Sequence, residues 1–391
     1  MGARFDKSFT RQEPLPEAAV ERVAAIMRSG ILHRYGAEES EASALERDYA
    51  DWQGARFCVA VASGGQALQI AMRAAGMRPG DAVLANAWTL APVPGAMHAV
   101  GARPVFVEIG ENWRIDVNDL AAKAEASGAR VMMLSHMRGH IADMDAVMEV
   151  CRRHGILVIE DCAHTMGARW DGMRSGNHGH IACFSTQTYK HVNSGEGGLL
   201  TTDDEEVAAR AVIASGSYML HARHGAAPSP AVFERVRLAM PNCSARMDEA
   251  RAAMVRAQLP GLDLNVERWN ERHDALEETV RAAGIRVPER SEKELRVGSS
   301  FQFHADVADV PAFVSSCAGR GVEVKWFGAD VPVGFTSRYD SWAFLGPTQD
   351  LPRTRAVLAT TCDIRVPLTF TVEDCRTIGT IVAEELERAA R

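Results

Sequence analysis

The chain has 391 residues, of which 47% are apolar and 24% are charged, a composition that is ordinary for a globular protein. Its formal net charge of -8 repels phosphate backbones, and none of its apolar runs approaches the roughly 20 residues of a membrane-spanning helix. The sequence therefore argues against nucleic acid binding and membrane insertion. A chain of this length predicts two domains, or one large domain with a smaller cap.

The eight cysteines form no CxxC pair, and several lie in apolar runs such as "HIACFS". We therefore expect reduced thiols that are buried as small apolar side chains, as is usual in the cytoplasm. The first residues contain no apolar signal core and carry acidic side chains early, so we expect no targeting segment. These patterns predict a cytoplasmic protein without a metal site.

From about residue 56 the sequence alternates short apolar runs with amphipathic segments of helical length. The segment "DMDAVMEVCRRHG" (143–155) is typical of a helix, because it begins with an aspartate cap and ends with basic residues and a glycine. Near-continuous apolar strands that alternate with helices predict a mostly parallel sheet covered on both faces. The apolar runs predicted as strands are 56–62, 82–86, 103–109, 130–135 and 156–161.

The second part of the chain has a different pattern. Residues 245–283 indicate long helices with a break near 258–263, and the last helix is predicted to start at Thr371. Strands are predicted between them at 299–305 and 322–327, which is typical of a smaller α+β unit. The fold class is therefore predicted as α/β, with a large domain at 1–247 and a small C-terminal domain at 248–391.

One lysine has unusual surroundings. Lys190 lies in "FSTQTYKHVNSGEGG" (184–198), after the buried strand "HIACFS" and before three glycines. The segment emerges at the carboxyl edge of the sheet, where ligands bind in open α/β folds. A partly desolvated lysine there becomes a usable nucleophile for Schiff-base chemistry, and the glycines would let the backbone turn tightly beside a ligand. The alternative interpretation is a solvated lysine in a loop.

Asp161 ends the apolar strand "ILVIED" and is predicted at the same edge. A carboxylate after buried apolar residues is costly without a cationic partner. It could hold the pyridine nitrogen of pyridoxal phosphate (PLP) protonated, which makes the ring an electron sink. His164 could reach the same ligand. The alternatives are a helix cap or surface acid for Asp161 and a structural role for His164.

The stretch "ASGGQAL" (62–68) lies between a predicted strand and helix, where free N–H groups bind phosphate well. It would place Gly64, Gly65 and Gln66 at the phosphate, with a hydroxyl from Ser185. Trp88 could stack on a flat ring, although packing is the alternative. Neither GxGxxG nor GxxxxGK[ST] occurs, which disfavours dinucleotide and P-loop interpretations.

The order of these elements resembles the DegT/DnrJ/EryC1/StrS aminotransferases, the sugar-aminotransferase branch of fold-type I PLP enzymes. The blocks that carry the resemblance are "ASGGQAL", "GARPVFVEI", "SHMRGHIADMDAVMEVCRRHGILVIEDCAHTMGA", "GHIACFSTQTYKHVNSGEGGLLTTDD" and "NCSARMDEARAAMVRAQL". The resemblance covers roughly residues 10–260 well and the C-terminal part loosely.

The resemblance implies a role for each matching residue. Lys190 matches the Schiff-base lysine, and Asn242 matches an asparagine that reaches the phosphate of the neighbouring subunit, which implies a homodimer with shared active sites. The remaining matches are Asp161 for the pyridine nitrogen, His164 for the ring hydroxyl, Ser185, Gly65 and Gln66 for the phosphate, and Trp88 for ring stacking. The histidine that replaces the lysine in the related dehydratases is not in register here.

Several positions depart from the family pattern and leave the acceptor open. Gly65-Gln66 stands where Thr-Ala is usual, and Arg138 stands where an uncharged residue is common. Arg138 and Arg34 are candidates for a bidentate contact with a carboxylate or phosphate of the substrate. The alternative for each is a salt bridge to a nearby acid such as Asp143 or Glu160.

The sequence therefore predicts a PLP-dependent aminotransferase. An amino acid donor, glutamate or glutamine by resemblance, would supply the amino group to a keto-sugar or related small ketone. Two alternatives remain open. The first is another PLP reaction on the same site, such as elimination or aromatisation of a cyclic ketone. The second is a non-catalytic PLP-binding regulator, because fold alone does not establish catalysis.

Overall fold

The computed structural model describes residues 3–36, 39–331 and 338–391, so the first residues of the predicted large domain and residues 37–38 and 332–337 lie outside the described residues. The helices are α1 (Glu17–Ser29), α2 (Glu41–Gln53), α3 (Gly64–Ala74), α4 (Pro92–Ala99), α5 (Val117–Ser127), α6 (Met144–Arg153), α7 (Glu205–Val212), α8 (Pro230–Val236), α9 (Glu249–Gln258), α10 (Leu262–Ala282), α11 (Val310–Gly319), α12 (Pro352–Thr360) and α13 (Val372–Ala389). The strands are β1 (Phe57–Val61), β2 (Ala82–Asn86), β3 (Arg103–Val107), β4 (Val131–Ser135), β5 (Leu157–Asp161), β6 (Arg169–Trp170), β7 (Met173–Arg174), β8 (Ile181–Ser185), β9 (Gly198–Thr202), β10 (Glu294–Leu295), β11 (Ser300–His304), β12 (Lys325–Trp326) and β13 (Thr361–Arg365).

The large sheet has seven strands among the described residues, in the order β1-β9-β8-β5-β4-β2-β3. Only β9 runs against its neighbours, so the predicted mostly parallel sheet is confirmed. Ser135 at the end of β4 pairs with Asp161 at the end of β5, and Asp161 pairs with Cys183 of β8. The ends of these three strands therefore meet at one edge.

Local sequence accounts for the elements that build this edge. Strands β4 and β8 are buried along their whole length, which explains why their sequences are apolar on both faces. Helix α6 is capped by the Asp143 side chain, which accepts a hydrogen bond from the Ala146 N–H, as its sequence predicted. Helix α3 is capped in the same way by Ser63, whose side chain accepts from the Gln66 N–H.

The C-terminal part of the chain contains a second sheet in the order β11-β13-β12. Its apolar core includes residues of α10, α11 and α13, together with Phe5 and Phe9 from the other end of the chain. The last helix begins as predicted, because Thr371 and Asp374 form a reciprocal capping box. The domain boundary after residue 247 stays a prediction, and the packing of Phe5 and Phe9 shows that the N-terminal segment contacts the second unit.

The remaining differences from the sequence prediction are small. The break in the long helical segment is a short turn at Leu259–Gly261 between α9 and α10. Strand β12 has only two residues of the predicted 322–327, and β9 was not predicted because it follows the glycine cluster directly. Within the described ranges, none of the helices has the length and apolar character needed to cross a bilayer.

Candidate active site

Lys190 lies in the turn that follows β8, at the carboxyl edge of the large sheet. Its Nζ is 2.9 Å from Nε2 of His164. Burial, with the charges of Arg138 and Arg365, lowers the pKa of Lys190 to about 8, although Asp161 opposes the shift. A substantial fraction of the amine is therefore neutral and nucleophilic near neutral pH, which favours the functional interpretation over a solvated loop lysine.

The hydrogen bonds of His164 define its protonation state. The backbone N–H of Arg138 donates to Nδ1 over 3.2 Å, so Nδ1 carries no proton. Burial, with the charge of Lys190, also lowers the pKa of His164 well below its ordinary value. The neutral ring therefore carries its proton on Nε2, from which it donates a hydrogen bond to the Lys190 amine when that amine is in its neutral form.

Asp161 is buried at the end of β5, next to the lysine. Its carboxylate accepts from the hydroxyl of Ser135 over 2.9 Å and from the N–H of Ala163 over 3.2 Å. Burial raises the pKa of Asp161, while these hydrogen bonds and the charge of Lys190 oppose the rise. The carboxylate is thus oriented by its neighbours but incompletely compensated, as expected of a group that receives a cationic N–H from a ligand.

The first turn of α3 lies directly against the end of β8. A Cβ added to Gly64 would lie 2.9 Å from Cβ of Ser185, so glycine is what allows the close approach. Because the Gln66 N–H already donates to Ser63, the N–H groups left for an anion belong to Gly64 and Gly65. In this structure the Gln66 N–H is used by the helix cap, and its side-chain oxygen is buried without a hydrogen-bond partner among the described residues, so its role at a phosphate remains a proposal.

The three glycines after Lys190 have different roles. Gly195 has a φ of +78°, the left-handed conformation that was expected to turn the backbone. Gly197 and Gly198 are needed for another reason, because a Cβ on Gly197 would lie 2.2 Å from Oγ1 of Thr186 and one on Gly198 would overlap the Ser63 backbone. Gly198 allows β9 to lie close to the cap of α3, and Gly197 allows the chain to pass close to Thr186, so both shape the edge of the site by close packing.

Trp88 is fully buried. Its ring packs edge-on against Phe327, with centroids 5.4 Å apart, and lies 6.0 Å from the ring of His140. Its indole Nε1 has no hydrogen-bond partner among the described residues. The packing alternative describes the contacts of Trp88 in this structure, and stacking on a ligand ring remains a proposal.

Asn242 lies on the exposed surface before α9. Its side-chain oxygen accepts a hydrogen bond from the N–H of Ser244 over 2.9 Å, which holds the side chain in a local turn. This position is free to face a second subunit, and the role of Asn242 at a neighbouring phosphate remains a prediction.

Arg34 is not presented to the site around Lys190. Its guanidinium is buried and donates two hydrogen bonds to the carboxylate of Glu46, over 2.8 and 2.7 Å. Nε2 of His224 lies 3.1 Å from the same carboxylate. The expectation of a substrate contact for Arg34 is therefore corrected to its alternative, a salt bridge, with Glu46 rather than the acids suggested from sequence.

Arg138 does lie beside Lys190 and His164. Its Nη2 is 3.0 Å from Oδ2 of Asp363, on β13 of the second sheet. Arg138 also has a φ of +56°, a backbone conformation that is uncommon for residues other than glycine and that is found preferentially at functional sites. The turn that contains it thus places one N–H on His164 and one guanidinium towards the second sheet.

Two groups of site residues were missed from the sequence. Ser135 orients Asp161 and in turn accepts a hydrogen bond from the hydroxyl of Thr89 over 2.8 Å. The position of Ser135 could have been predicted, because it is the polar last residue of an apolar strand. Arg365 and Asp363 of β13 could not be assigned, since their approach to Lys190 depends on how the second sheet packs.

The residues present fit PLP. The N–H groups of Gly64 and Gly65 beside Ser185 form a cradle that a Cβ would fill, which suits a phosphate. The buried carboxylate of Asp161 lacks full charge compensation, which suits a protonated pyridine nitrogen. Lys190 supplies an amine for the aldehyde. These residues therefore fit the phosphate, the pyridine nitrogen and the aldehyde of this cofactor.

Comparisons with known proteins show related sequences over about half of this chain. The chain is 33% identical to L-glutamine:scyllo-inosose aminotransferase of Streptomyces griseus over 54% of this chain and 50% of that protein. It is 32% identical to the pleiotropic regulatory protein of Geobacillus stearothermophilus over 58% and 57%. The chain spans about half the length of these curated relatives.

Solved structures extend the likeness over the whole chain. The crystal structure of 3-amino-5-hydroxybenzoic acid synthase matches with a TM-score of 0.81 and 26% identity, covering 97% of this chain and all of the other. The family model matches residues 15–383. The chain therefore belongs to the DegT/DnrJ/EryC1/StrS aminotransferase family, whose members are fold-type I enzymes that use PLP.

Proposed function

We propose that this chain is a PLP-dependent aminotransferase that moves an amino group from glutamate or glutamine to a keto-sugar or related cyclic ketone. The observation that carries the proposal is the Lys190 amine, with a pKa of about 8, hydrogen-bonded to a neutral His164 beside the buried carboxylate of Asp161. A protein that only sensed the cofactor would not need this arrangement.

Each residue then has a defined task. Bound at this edge, PLP supplies an electron sink for the electron pair released at the substrate Cα. Lys190 holds the cofactor and, once released by the donor amine, moves a proton between the substrate Cα and C4′ of the cofactor. Asp161 stabilises the protonated pyridine nitrogen, and His164 orients the lysine amine. The first turn of α3 and Ser185 bind the phosphate.

The relatives support the class of donor and acceptor. The name of the S. griseus protein specifies glutamine as donor and a cyclic ketone as acceptor. The 3-amino-5-hydroxybenzoic acid synthase supports the alternative of a PLP reaction that ends in an aromatic product. The pleiotropic regulatory protein supports the alternative of a regulator.

Half-reaction spectroscopy separates these alternatives. The holoenzyme is mixed with single amino donors, and loss of the PLP absorption with release of the matching keto acid is followed. We expect glutamate or glutamine to convert the cofactor at catalytic rates, and the Lys190→Ala variant not to do so. Binding of PLP without conversion by any donor would support the regulator, and an aromatic product from a cyclic ketone would support the second reaction type.

We also propose a cytoplasmic homodimer with shared active sites. The eight thiols are free and seven of them are buried, which suits a reducing compartment. For the dimer, Lys190→Ala and Asn242→Ala subunits are mixed. If Asn242 serves the neighbouring site, one composite site of the mixed dimer carries both changes and the other carries neither, so activity returns. No recovery in proven heterodimers would assign Asn242 to its own subunit.

A further inference from the structure

A cavity lined by cations lies between Lys190 and the second sheet. It has a volume of about 310 Å³, and its charged wall contains Arg138, Lys325, Asp363 and Arg365. Arg138 comes from the turn after β4, whereas the other three come from β12 and β13. The turn after β4 and the second sheet therefore both line one polar space.

This cavity adjoins the catalytic lysine. A neighbouring cleft of about 200 Å³ contains Lys190 and shares Tyr189 and Arg365 with the cavity. The Arg365 guanidinium lies over the Tyr189 ring, 4.2 Å from its centroid. A substrate that places its reacting carbon at Lys190 can therefore reach Arg365 and Arg138 with another part of the molecule.

The cavity holds more positive than negative charge. Asp363 is its only buried acid among the described residues, and it bonds Arg138 on one oxygen and the Gln302 amide on the other. The Arg365 guanidinium makes no ion pair within the described ranges, and Nε of Arg138 is buried there without a hydrogen-bond partner. Glu323 also lines the cavity, but it is exposed to solvent.

Repulsion between the cations adds to the effect of burial on their pKa values. Burial, with the charges of Arg138 and Arg365, lowers the pKa of Lys325 to about 7, although Asp363 opposes the shift. Burial and the charge of Arg138 also lower the pKa of Arg365. Both shifts show that a further positive charge is disfavoured in this cavity, and an anion would relieve the repulsion.

We propose that Arg138 and Arg365, with Lys325 beside them, form a subsite for a carboxylate or phosphate group of the acceptor ketone. This inference rests on the proposed aminotransferase function and names its acceptor class as anionic. Guanidinium groups bind both anions in a bidentate manner, and Arg138 is already oriented by Asp363. The α-carboxylate of the donor is the other source of such an anion, but cations from β12, β13 and the turn after β4 suit a larger or more highly charged group.

Anion binding is tested first without catalysis. Inorganic phosphate and malonate are titrated into the holoenzyme by calorimetry at constant ionic strength. We expect Arg365→Gln to weaken binding about tenfold or more, and Lys325→Gln to weaken it less. The matched control is Arg376→Gln, an exposed arginine of α13 paired with Glu373, which should leave binding unchanged. Equal binding in the Arg365 and Arg376 variants would overturn the subsite.

Kinetics then identify the source of the anion. Matched cyclic ketones with a carboxylate or its neutral amide are compared as acceptors after glutamate or glutamine has loaded the cofactor. We expect a preference for the anionic ketone that falls about tenfold or more in Arg365→Gln, as for loss of a charged hydrogen bond. A loss confined to the donor step would overturn the acceptor assignment. Failure of the wild-type donor step would instead reject the proposed function.

Discussion

Two arginine-containing regions of this chain differ in how well their positive charges are matched by carboxylates. In the Arg34 network (Arg34, Glu46 and His224), the guanidinium is matched by one carboxylate in a bidentate pair, and all three side chains are buried. In the Arg138 cluster (Arg138, Lys325, Asp363 and Arg365), three cations share one buried acid beside a cavity. Arg34 and Arg138 were equal candidates from sequence, and charge balance distinguishes the arginine held in a matched ion pair from the one proposed to bind a ligand.

The pKa values follow the same division. Burial alone would raise the pKa of Glu46, but the charge of Arg34, with hydrogen bonds from His224 and Arg34, holds it at about 2, so the ion pair is maintained. In the Arg138 cluster and its surroundings, the pKa values of Lys325 and Lys190 fall to about 7 and about 8. A balanced network stabilises the charged forms of its members. An unbalanced cluster of cations favours the neutral forms of its amines, and an anionic ligand would relieve the repulsion between the cations.

The largest effect on reaction rate is expected at Asp161, which lies beside Lys190. Asp161→Asn removes the charge that stabilises the protonated pyridine nitrogen. We expect the donor half-reaction to slow about a thousandfold, which corresponds to about 4 kcal/mol, the range for a buried charge that loses its partner. Stopped-flow absorbance measures the rate. A near-normal rate would show that Asp161 only caps the turn after β5.

The next largest effect is a loss of stability in the Arg34 network. Arg34→Gln leaves the buried Glu46 carboxylate without its guanidinium, so we expect the free energy of unfolding to fall by about 3–5 kcal/mol. Denaturant titration of the PLP-loaded protein measures the loss, with Arg152→Gln as a control, since its exposed pair with Glu149 should be worth less than about 1 kcal/mol. The folded fraction should retain its half-reaction rates. Normal stability with a weakened substrate affinity would instead indicate that Arg34 contacts the substrate.

The smallest effect is a shift in pH dependence. Uptake of PLP by the apoenzyme requires the neutral amine of Lys190, so its rate should rise with pH and reach half its maximum near pH 8, not near the ordinary lysine value of 10.5. Because the charge of Arg365 lowers this pKa, Arg365→Gln should move the midpoint upwards. Because Asp161 opposes the shift, Asp161→Asn should move it downwards. A common midpoint in all three proteins would contradict the electrostatic account.

The edge of the large sheet could be predicted from sequence because its signals are local. Asp161 and Ser185 end apolar strands, and Lys190 follows one, so their positions follow from parallel strands that share a carboxyl edge. The same logic could have identified Ser135. Gly64 was also predicted, although its reason, the close approach to Ser185, required the structure.

The partners of charged residues could not be predicted, because they come from distant elements. Glu46 lies on α2, and Asp363 lies on the second sheet, so sequence spacing near Arg34 and Arg138 indicated neither pair. Gly197 and Gly198 pose the same problem in the backbone, since only the packing of β9 shows that they serve close contact rather than a turn. Packing between elements decides these roles.

The most direct test of the central claim compares two lysines. Lys190 and Lys325 both have lowered pKa values. Lys325 belongs to the Arg138 cluster, whereas Lys190 adjoins that cluster and lies beside His164 and Asp161. The holoenzyme is reduced with borohydride, digested and analysed by mass spectrometry. The account predicts that the cofactor is attached to the peptide containing Lys190. Attachment to the peptide containing Lys325 would contradict it.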